Sequence, residues 1–145
     1  MKSELELARQ ILDIEAQAIL QLKEQLNSSF PAAVDLIVAC KSKLILVGIG
    51  KSGQIARKIA STFSSTGTPA VFLHPAESSH GDLGMITSGD VILAISYGGE
   101  SPEMIPVLNF AARKNVPLIA MTGKQGSSLS RTAQVVLDIQ ILKEA

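Results

Sequence analysis

The chain has few of the features that mark special classes of protein. Its 145 residues include one cysteine, Cys40, which excludes an internal disulfide and is consistent with a reducing compartment. Basic and acidic residues number 13 each, so no overall charge attracts nucleic acid or an anionic membrane. No apolar run reaches the roughly 18 residues of a membrane span, and early charged residues argue against a secretory signal. We therefore expect a cytoplasmic protein.

Aromatic residues are also scarce. They make up 3% of the chain, whereas 46% of its residues are apolar, so a mainly aliphatic core is expected. The length predicts one domain over residues 1–145. The patterns described below divide it into a helical lead-in over 1–40 and an α/β core over 43–140.

Short apolar runs alternate with helical patterns from residue 43 onward. Strands are predicted at 44–48, 70–74, 91–96, 117–121 and 135–139. Helices are predicted at 53–65, 102–114 and about 127–132. Continuous apolar strands joined by long connections predict a three-layer α/β/α sandwich with a five-stranded parallel sheet.

Two helices are predicted before the sheet, over 3–26 and from Ser29 to about Ala39. The first has apolar residues beyond one face, which indicates a second packing partner, such as another subunit.

A glycine-rich segment, Val47-Gly48-Ile49-Gly50-Lys51-Ser52-Gly53, follows the first predicted strand. Its glycines permit a sharp turn and close approach of a ligand, and the next helix offers free N–H groups. These features predict a bound phosphate group, with Lys51 adding charge from the turn. A dinucleotide site is disfavoured because the next predicted strand ends at His74, without the acidic residue that such a site needs to hold the ribose. A P-loop is disfavoured because Ile45 stands where the P-loop motif has its first glycine. A plain tight turn is the alternative.

Polar residues follow three other predicted strands, in segments 74–82, 96–101 and 122–127. The carboxyl ends of parallel strands share the edge at which α/β sheets bind ligands. In segment 96–101, a phosphate would meet backbone amides and the hydroxyls of Ser96 and Ser101. Helix capping is the alternative role for Ser101.

Segment 74–82 contains both histidines, His74 and His80, together with Glu77 and Asp82. These side chains could bind a divalent metal, but their spacing matches no standard metal site, so no metal is predicted. For His74 we favour a hydrogen bond to the backbone.

These segments resemble the sugar isomerase (SIS) domain family and, more narrowly, the D-arabinose-5-phosphate isomerases. The resemblance covers about residues 40–145. Its motifs are Gly48-Ile49-Gly50-Lys51-Ser52-Gly53, Ser65-Thr66-Gly67-Thr68-Pro69, His74-Pro75-Ala76-Glu77, Ser79-His80-Gly81-Asp82-Leu83-Gly84-Met85 and the segment 94–101. It implies the flavodoxin-like SIS fold and interconversion of D-ribulose 5-phosphate and D-arabinose 5-phosphate, for synthesis of the lipopolysaccharide sugar Kdo. It also implies a homo-oligomer, a dimer or tetramer, with sites between subunits.

Carried over residue by residue, the resemblance assigns catalytic roles to Lys51, His80 and Glu103. Aldose–ketose isomerisation proceeds through an enediol and needs a base, an acid at the oxygens and a phosphate clamp. Glu103 is the candidate base, although its position also suits a favourable interaction with a helix dipole. His80 would move protons between oxygens or open the sugar ring, and Lys51 would stabilise negative charge. The expected phosphate-binding residues are Gly50, Ser52, Ser96, Gly98, Gly99 and Ser101. No metal or organic cofactor is required.

The chain departs from the family pattern in two places. Family members usually have Ser-x-Ser-Gly-Glu-Ser at segment 96–101, where Gly98 replaces the second serine and removes one hydroxyl. They also continue past the position of Ala145 with a helix and a second functional histidine, and many carry CBS domains. The chain is therefore expected to be a catalytic-domain fragment or a reduced domain without CBS domains. A non-catalytic phosphosugar-sensing module is the alternative, and a structural assembly domain ranks below both.

Overall fold

A sheet of parallel strands forms the centre of the structure, a computed structural model that describes residues 2–78 and 81–144. Its five strands are β1 (Leu44–Gly48), β2 (Ala70–Leu73), β3 (Val91–Ile95), β4 (Leu118–Thr122) and β5 (Val135–Asp138). They pair in the order β2-β1-β3-β4-β5, and every pairing is parallel. The predicted sheet is confirmed, with each strand within one residue of its expected bounds.

The helices precede the sheet or connect its strands. They are α1 (Glu4–Gln25), α2 (Ser29–Val38), α3 (Gly50–Ser65), α4 (Pro75–Ser78), α5 (Ile105–Lys114) and α6 (Ser128–Thr132). Short 3-10 turns cover Asp82–Met85 and Pro102–Met104. Helix α4 and the turn at Asp82–Met85 were not predicted, because four residues are too few to give a periodic apolar pattern.

Helices cover both faces of the sheet, which explains the continuous apolar strands. In β1, whose residues are all buried, Leu44 and Leu46 pack with apolar residues of α2 and α3. Ile45 and Val47 point to the other face and pack with residues of α5 and α6. The predicted three-layer α/β/α arrangement is therefore confirmed.

Helix α3 begins at Gly50, three residues before the predicted start at residue 53. Gly50 has a φ of 57°, a left-handed conformation that turns the chain at the end of β1 without the steric cost of a side chain. The Gly53 N–H already donates to the Ile49 carbonyl at 3.2 Å. Lys51 therefore lies in the first helical turn, and its predicted place in a loop is corrected.

The predicted helix 102–114 begins as the 3-10 turn Pro102–Met104 and becomes α-helical only at Ile105. Pro106 has no N–H to donate to the carbonyl of Pro102, so the first α-helical hydrogen bond cannot form. The Ile105 N–H donates to the Pro102 carbonyl instead.

Helix α1 starts with a capping box, in which Ser3 and Glu6 each accept a hydrogen bond from the other's backbone N–H. None of its residues is buried. Its exposed large apolar side chains are those of Leu5, Leu7, Ile11, Leu12, Ile19, Leu20 and Leu22. The extra apolar surface predicted for this helix is thus uncovered within the described chain.

Across residues 2–78 and 81–144, no helix combines the length and apolarity needed to cross a membrane.

A partly buried ion pair joins the beginnings of β1 and β3. Asp90, which is 2% exposed, accepts hydrogen bonds from the Thr87 N–H at 2.6 Å and from Lys43 Nζ at 2.9 Å. Burial by itself would raise the pKa of the Asp90 carboxyl, but the hydrogen bonds from Thr87 and Lys43 outweigh it and lower that pKa. The pair lies at the amino edge of the sheet, opposite the predicted ligand site.

Candidate functional site

The order of the strands creates a crevice between the loops that follow β1 and β3. The chain passes from β1 outward to β2 and returns to β3 on the other side of β1. At such a switch point the two loops diverge, and α/β sheets bind ligands there. Gly48 and Ile95 are register partners, so segments 48–53 and 96–101 leave the sheet side by side. The structure thus brings together the two segments predicted to bind phosphate.

The glycines of segment 48–53 serve different purposes. A Cβ on Gly48 would lie 2.8 Å from the Ser52 carbonyl oxygen, and one on Gly53 would lie 2.8 Å from the Gly48 carbonyl oxygen. These two glycines therefore allow direct backbone packing between β1 and α3. Gly50 instead has open space around it and supplies the left-handed turn.

The first turn of α3 presents donors at the mouth of the crevice. No side chain at Ile49 caps this 16-residue helix. The first N–H groups of a helix lack intrahelical partners and carry the positive end of its dipole, which favours an anion. Lys51 is exposed and Ser52 half-buried in this turn.

Segment 96–101 is held in a compact turn. Ser96 is buried, and its Oγ accepts a hydrogen bond from the Gly99 N–H at 3.1 Å. Gly99 has a φ of 66°, and a Cβ there would clash with the side chain of Ser127. Gly98 is exposed, and a Cβ there would meet no atom within 4 Å.

Ser101 precedes the 3-10 turn Pro102–Met104, but its side chain makes no capping hydrogen bond. The alternative reading, in which its hydroxyl serves only to cap the helix, is therefore wrong. Glu103 is exposed on the same turn.

The predicted residues of segment 74–82 are only partly described. His80 lies outside the described residues. His74 Nδ1 accepts a hydrogen bond from the Ala76 N–H at 3.2 Å, which confirms the backbone partner favoured for this histidine. Among residues 2–78 and 81–144, no group of three His, Cys, Asp or Glu side chains could hold a metal ion.

The SIS domain family model matches residues 37–145. The chain belongs to the SIS domain family. The arabinose 5-phosphate isomerase GutQ of Salmonella typhi is 51% identical over 137 residues, which cover 94% of this chain and 43% of the relative. The arabinose 5-phosphate isomerase KdsD of Shigella flexneri is 45% identical over 137 residues, covering 94% and 42%. This SIS domain therefore spans less than half the length of these curated relatives.

A solved structure of an Escherichia coli CFT073 protein in complex with arabinose 5-phosphate has the same fold. It superposes with a TM-score of 0.92 and 34% identity, covering 99% of this chain and 78% of that chain. The similarity confirms the SIS fold expected from the sequence.

Sequence reasoning missed the contacts that join segment 96–101 of this SIS domain to segment 122–127 and α6. The Glu100 carboxylate accepts hydrogen bonds from the N–H and the hydroxyl of Ser128, at 2.8 and 2.7 Å. Thr122 Oγ1 donates to the Tyr97 carbonyl at 3.0 Å. The hydroxyls of Ser128 and Thr122 are therefore used within the protein. Nothing local in the sequence reveals the Glu100–Ser128 pair, because its members are 28 residues apart.

An apolar cavity of about 130 Å³ lies elsewhere in the SIS domain, between the α1–α2 junction and β5. Its walls include Leu22, Phe30, Met121 and Ile139, and none of its described lining residues is basic. It therefore offers no charge for a phosphate, and the crevice between β1 and β3 is the better candidate site.

Proposed function

We propose that this chain is the sugar isomerase domain of an arabinose-5-phosphate isomerase, interconverting D-ribulose 5-phosphate and D-arabinose 5-phosphate. The observation that carries the proposal is the crevice at the β1/β3 switch point, where segment 48–53, which leads into the uncapped start of α3, and segment 96–101 leave the sheet side by side. The relatives named arabinose 5-phosphate isomerase and the structure solved with that sugar phosphate support this choice of substrate. Its product would feed synthesis of Kdo.

The phosphate group would bind between the two segments. The first amides of α3, the left-handed turn at Gly50 and the Ser52 hydroxyl form one side of the clamp. The Gly98 N–H and the Ser101 hydroxyl form the other side, while the Ser96 hydroxyl and the Gly99 N–H stabilise the turn between them. Charge-assisted hydrogen bonds of this kind are short and strong.

The proton transfer would be carried out by residues beside this clamp. In the direction of the ketose, Glu103 takes the C2 proton of the open-chain aldose and returns it to C1, while a proton moves from O2 to O1. Lys51 stabilises the negative charge of the enediolate formed between these steps. His80 is assigned the oxygen-to-oxygen proton transfer or the ring opening, by resemblance alone. This chemistry requires neither a metal nor an organic cofactor.

We further propose that the domain works as a cytoplasmic homo-oligomer, either a dimer or a tetramer. The support for an oligomer is the exposed apolar surface of α1, where Leu12 is 63% and Ile19 69% exposed. Burying such side chains against a second copy would stabilise an assembly by roughly 25 cal/mol per Å² of apolar surface. A partner subunit could also close the open crevice.

The test is isomerisation of arabinose 5-phosphate by the 145-residue chain, followed by detection of ribulose 5-phosphate. Turnover is the expected result. If there is no turnover but arabinose 5-phosphate raises the Tm, the phosphosugar-sensing alternative is favoured over the isomerase. The absence of both effects would contradict the phosphosugar proposal itself.

Gly98→Ser is expected to tighten binding of arabinose 5-phosphate about tenfold, because it restores a hydroxyl beside the phosphate. The substitution fits the fold, since the space around Gly98 is open and its φ is not positive. Isothermal titration measures the change in Kd. Gly98→Ala is the matched control, because it adds the same Cβ without the hydroxyl. Equal affinities for the two variants would show that the hydroxyl makes no contact with the ligand.

A further inference from the structure

Segment 96–101 is docked on the amino end of α6. The Ser128 N–H donates to Glu100 Oε1, and the Leu129 N–H donates to the Gly99 carbonyl at 3.1 Å. The Ser130 N–H donates to the hydroxyl of Ser127, the N-cap residue. The first three N–H groups of α6 therefore all have partners, two of them in segment 96–101. The end of this helix thus holds a neighbouring loop.

The carboxylate of Glu100 is directed into this contact. Both of its oxygens accept hydrogen bonds from Ser128, and Arg131 Nη2 donates to the Ser128 hydroxyl at 3.2 Å. The hydrogen bonds from Ser128, together with the charges of Arg131 and Lys124, lower the pKa of Glu100 below its usual value. A carboxylate in a phosphate-binding segment would ordinarily repel the ligand. Here its charge is offset by the start of α6 and by nearby basic side chains.

The turn of residues 96–99, just before Glu100, is also held in place. The Gly99 N–H is bound by Ser96 Oγ, and Gly99 packs so closely on Ser127 that no side chain fits. Gly98 lies within the turn that the Ser96–Gly99 hydrogen bond closes, and Ser101 directly follows Glu100. The contacts of Glu100 thus help to hold the turn that carries the proposed donors of residues 98 and 101.

We propose that Glu100 is a positioning residue, which binds the start of α6 through Ser128 and thereby holds segment 96–101 in its phosphate-binding form. This inference rests on the proposed function, because the ligand is the phosphate of that sugar phosphate. Glu100 itself does not touch the ligand, so its loss affects binding rather than the proton transfer.

The experiment compares Glu100→Ala, Glu100→Gln and the unaltered chain. In Glu100→Ala, KM and Kd for arabinose 5-phosphate are expected to rise about tenfold, with kcat within about threefold of the unaltered value. Glu100→Gln keeps one acceptor oxygen and is expected to lose only about threefold in affinity. Deuterium uptake at 96–101 is expected to increase in Glu100→Ala. Asp35→Asn, on the exposed surface of α2, is the control and leaves all of these values unchanged.

A second comparison uses Ser128→Ala. In the Glu100→Ala background this substitution is expected to cause no additional loss of affinity, because the two side chains act through one contact. Additive losses would overturn the positioning role. A fall in kcat at unchanged KM in Glu100→Ala would also overturn the positioning role, as would an unchanged Kd in that variant.

Titration of inorganic phosphate into the same proteins distinguishes a failure of this inference from a failure of the proposed function. If the unaltered chain binds phosphate but shows no turnover, the isomerase proposal fails and the phosphate Kd values still decide the role of Glu100. If it binds neither phosphate nor arabinose 5-phosphate, both proposals are overturned.

Discussion

Replacing Glu103 with glutamine is expected to lower kcat for arabinose 5-phosphate by about 10²–10⁴-fold. The amide has nearly the same shape as the carboxylate but cannot take up the C2 proton. Because Glu103 is exposed, the substitution should leave the Tm almost unchanged. Steady-state kinetics on the purified variant, with circular dichroism to verify folding, measure both effects.

Glu100→Gln provides a matched comparison on the same segment. The two glutamates are three positions apart, yet Glu103→Gln is expected to lower kcat, whereas Glu100→Gln is expected mainly to raise KM. If Glu103→Gln retained a kcat within about threefold of the unaltered chain, another group would have to be the base and the proposed mechanism would be wrong.

Asp90→Asn is expected to reduce the free energy of unfolding by about 3 kcal/mol, or about 10 °C in Tm. The amide cannot form an ion pair with the Lys43 ammonium and is a weaker acceptor for the Thr87 N–H. Because the side chain at position 90 remains buried, water cannot replace these interactions. Chemical denaturation followed by circular dichroism measures this loss. The exposed Asp35→Asn on α2 serves as the control and should change the free energy by less than about 0.5 kcal/mol.

The contribution of Asp90 also predicts a pH dependence. Its pKa is lowered in the folded protein, so its stabilisation is fully present above the unfolded pKa of about 3.9. That stabilisation is lost as the pH falls through the lower folded pKa. The difference in unfolding free energy between the unaltered chain and Asp90→Asn should therefore narrow below about pH 4. A difference that stays constant from pH 7 to pH 3 would rule out a charged Asp90 as its source.

Much of the fold could be predicted because its strands carry strong local signals. The continuous apolar run of β1, buried on both faces, is sufficient to locate that strand. The predicted start of α3 is three residues too late, because a glycine with positive φ can belong to the first helical turn as well as to a loop. The 3-10 turn at Pro102–Met104 depends on the missing N–H of Pro106, which periodicity does not report.

The site could be predicted only in part. The segments that meet at the crevice follow from the general rule for parallel sheets, and the strand order brings them together. The use of each hydroxyl could not be predicted, since Ser101 does not cap the turn after it, while Ser128 binds a glutamate 28 residues away. Such choices depend on tertiary contacts.

The direct contact between the backbones of Gly48 and Gly53 has a consequence for redesign of this scaffold. Any side chain at either position would push α3 away from the sheet and would also displace the turn that is proposed to bind phosphate. Gly98, in contrast, faces open space, and Lys51 is exposed. A library that fixes positions 48 and 53 and varies 51 and 98 should therefore alter ligand preference while most of its members still fold.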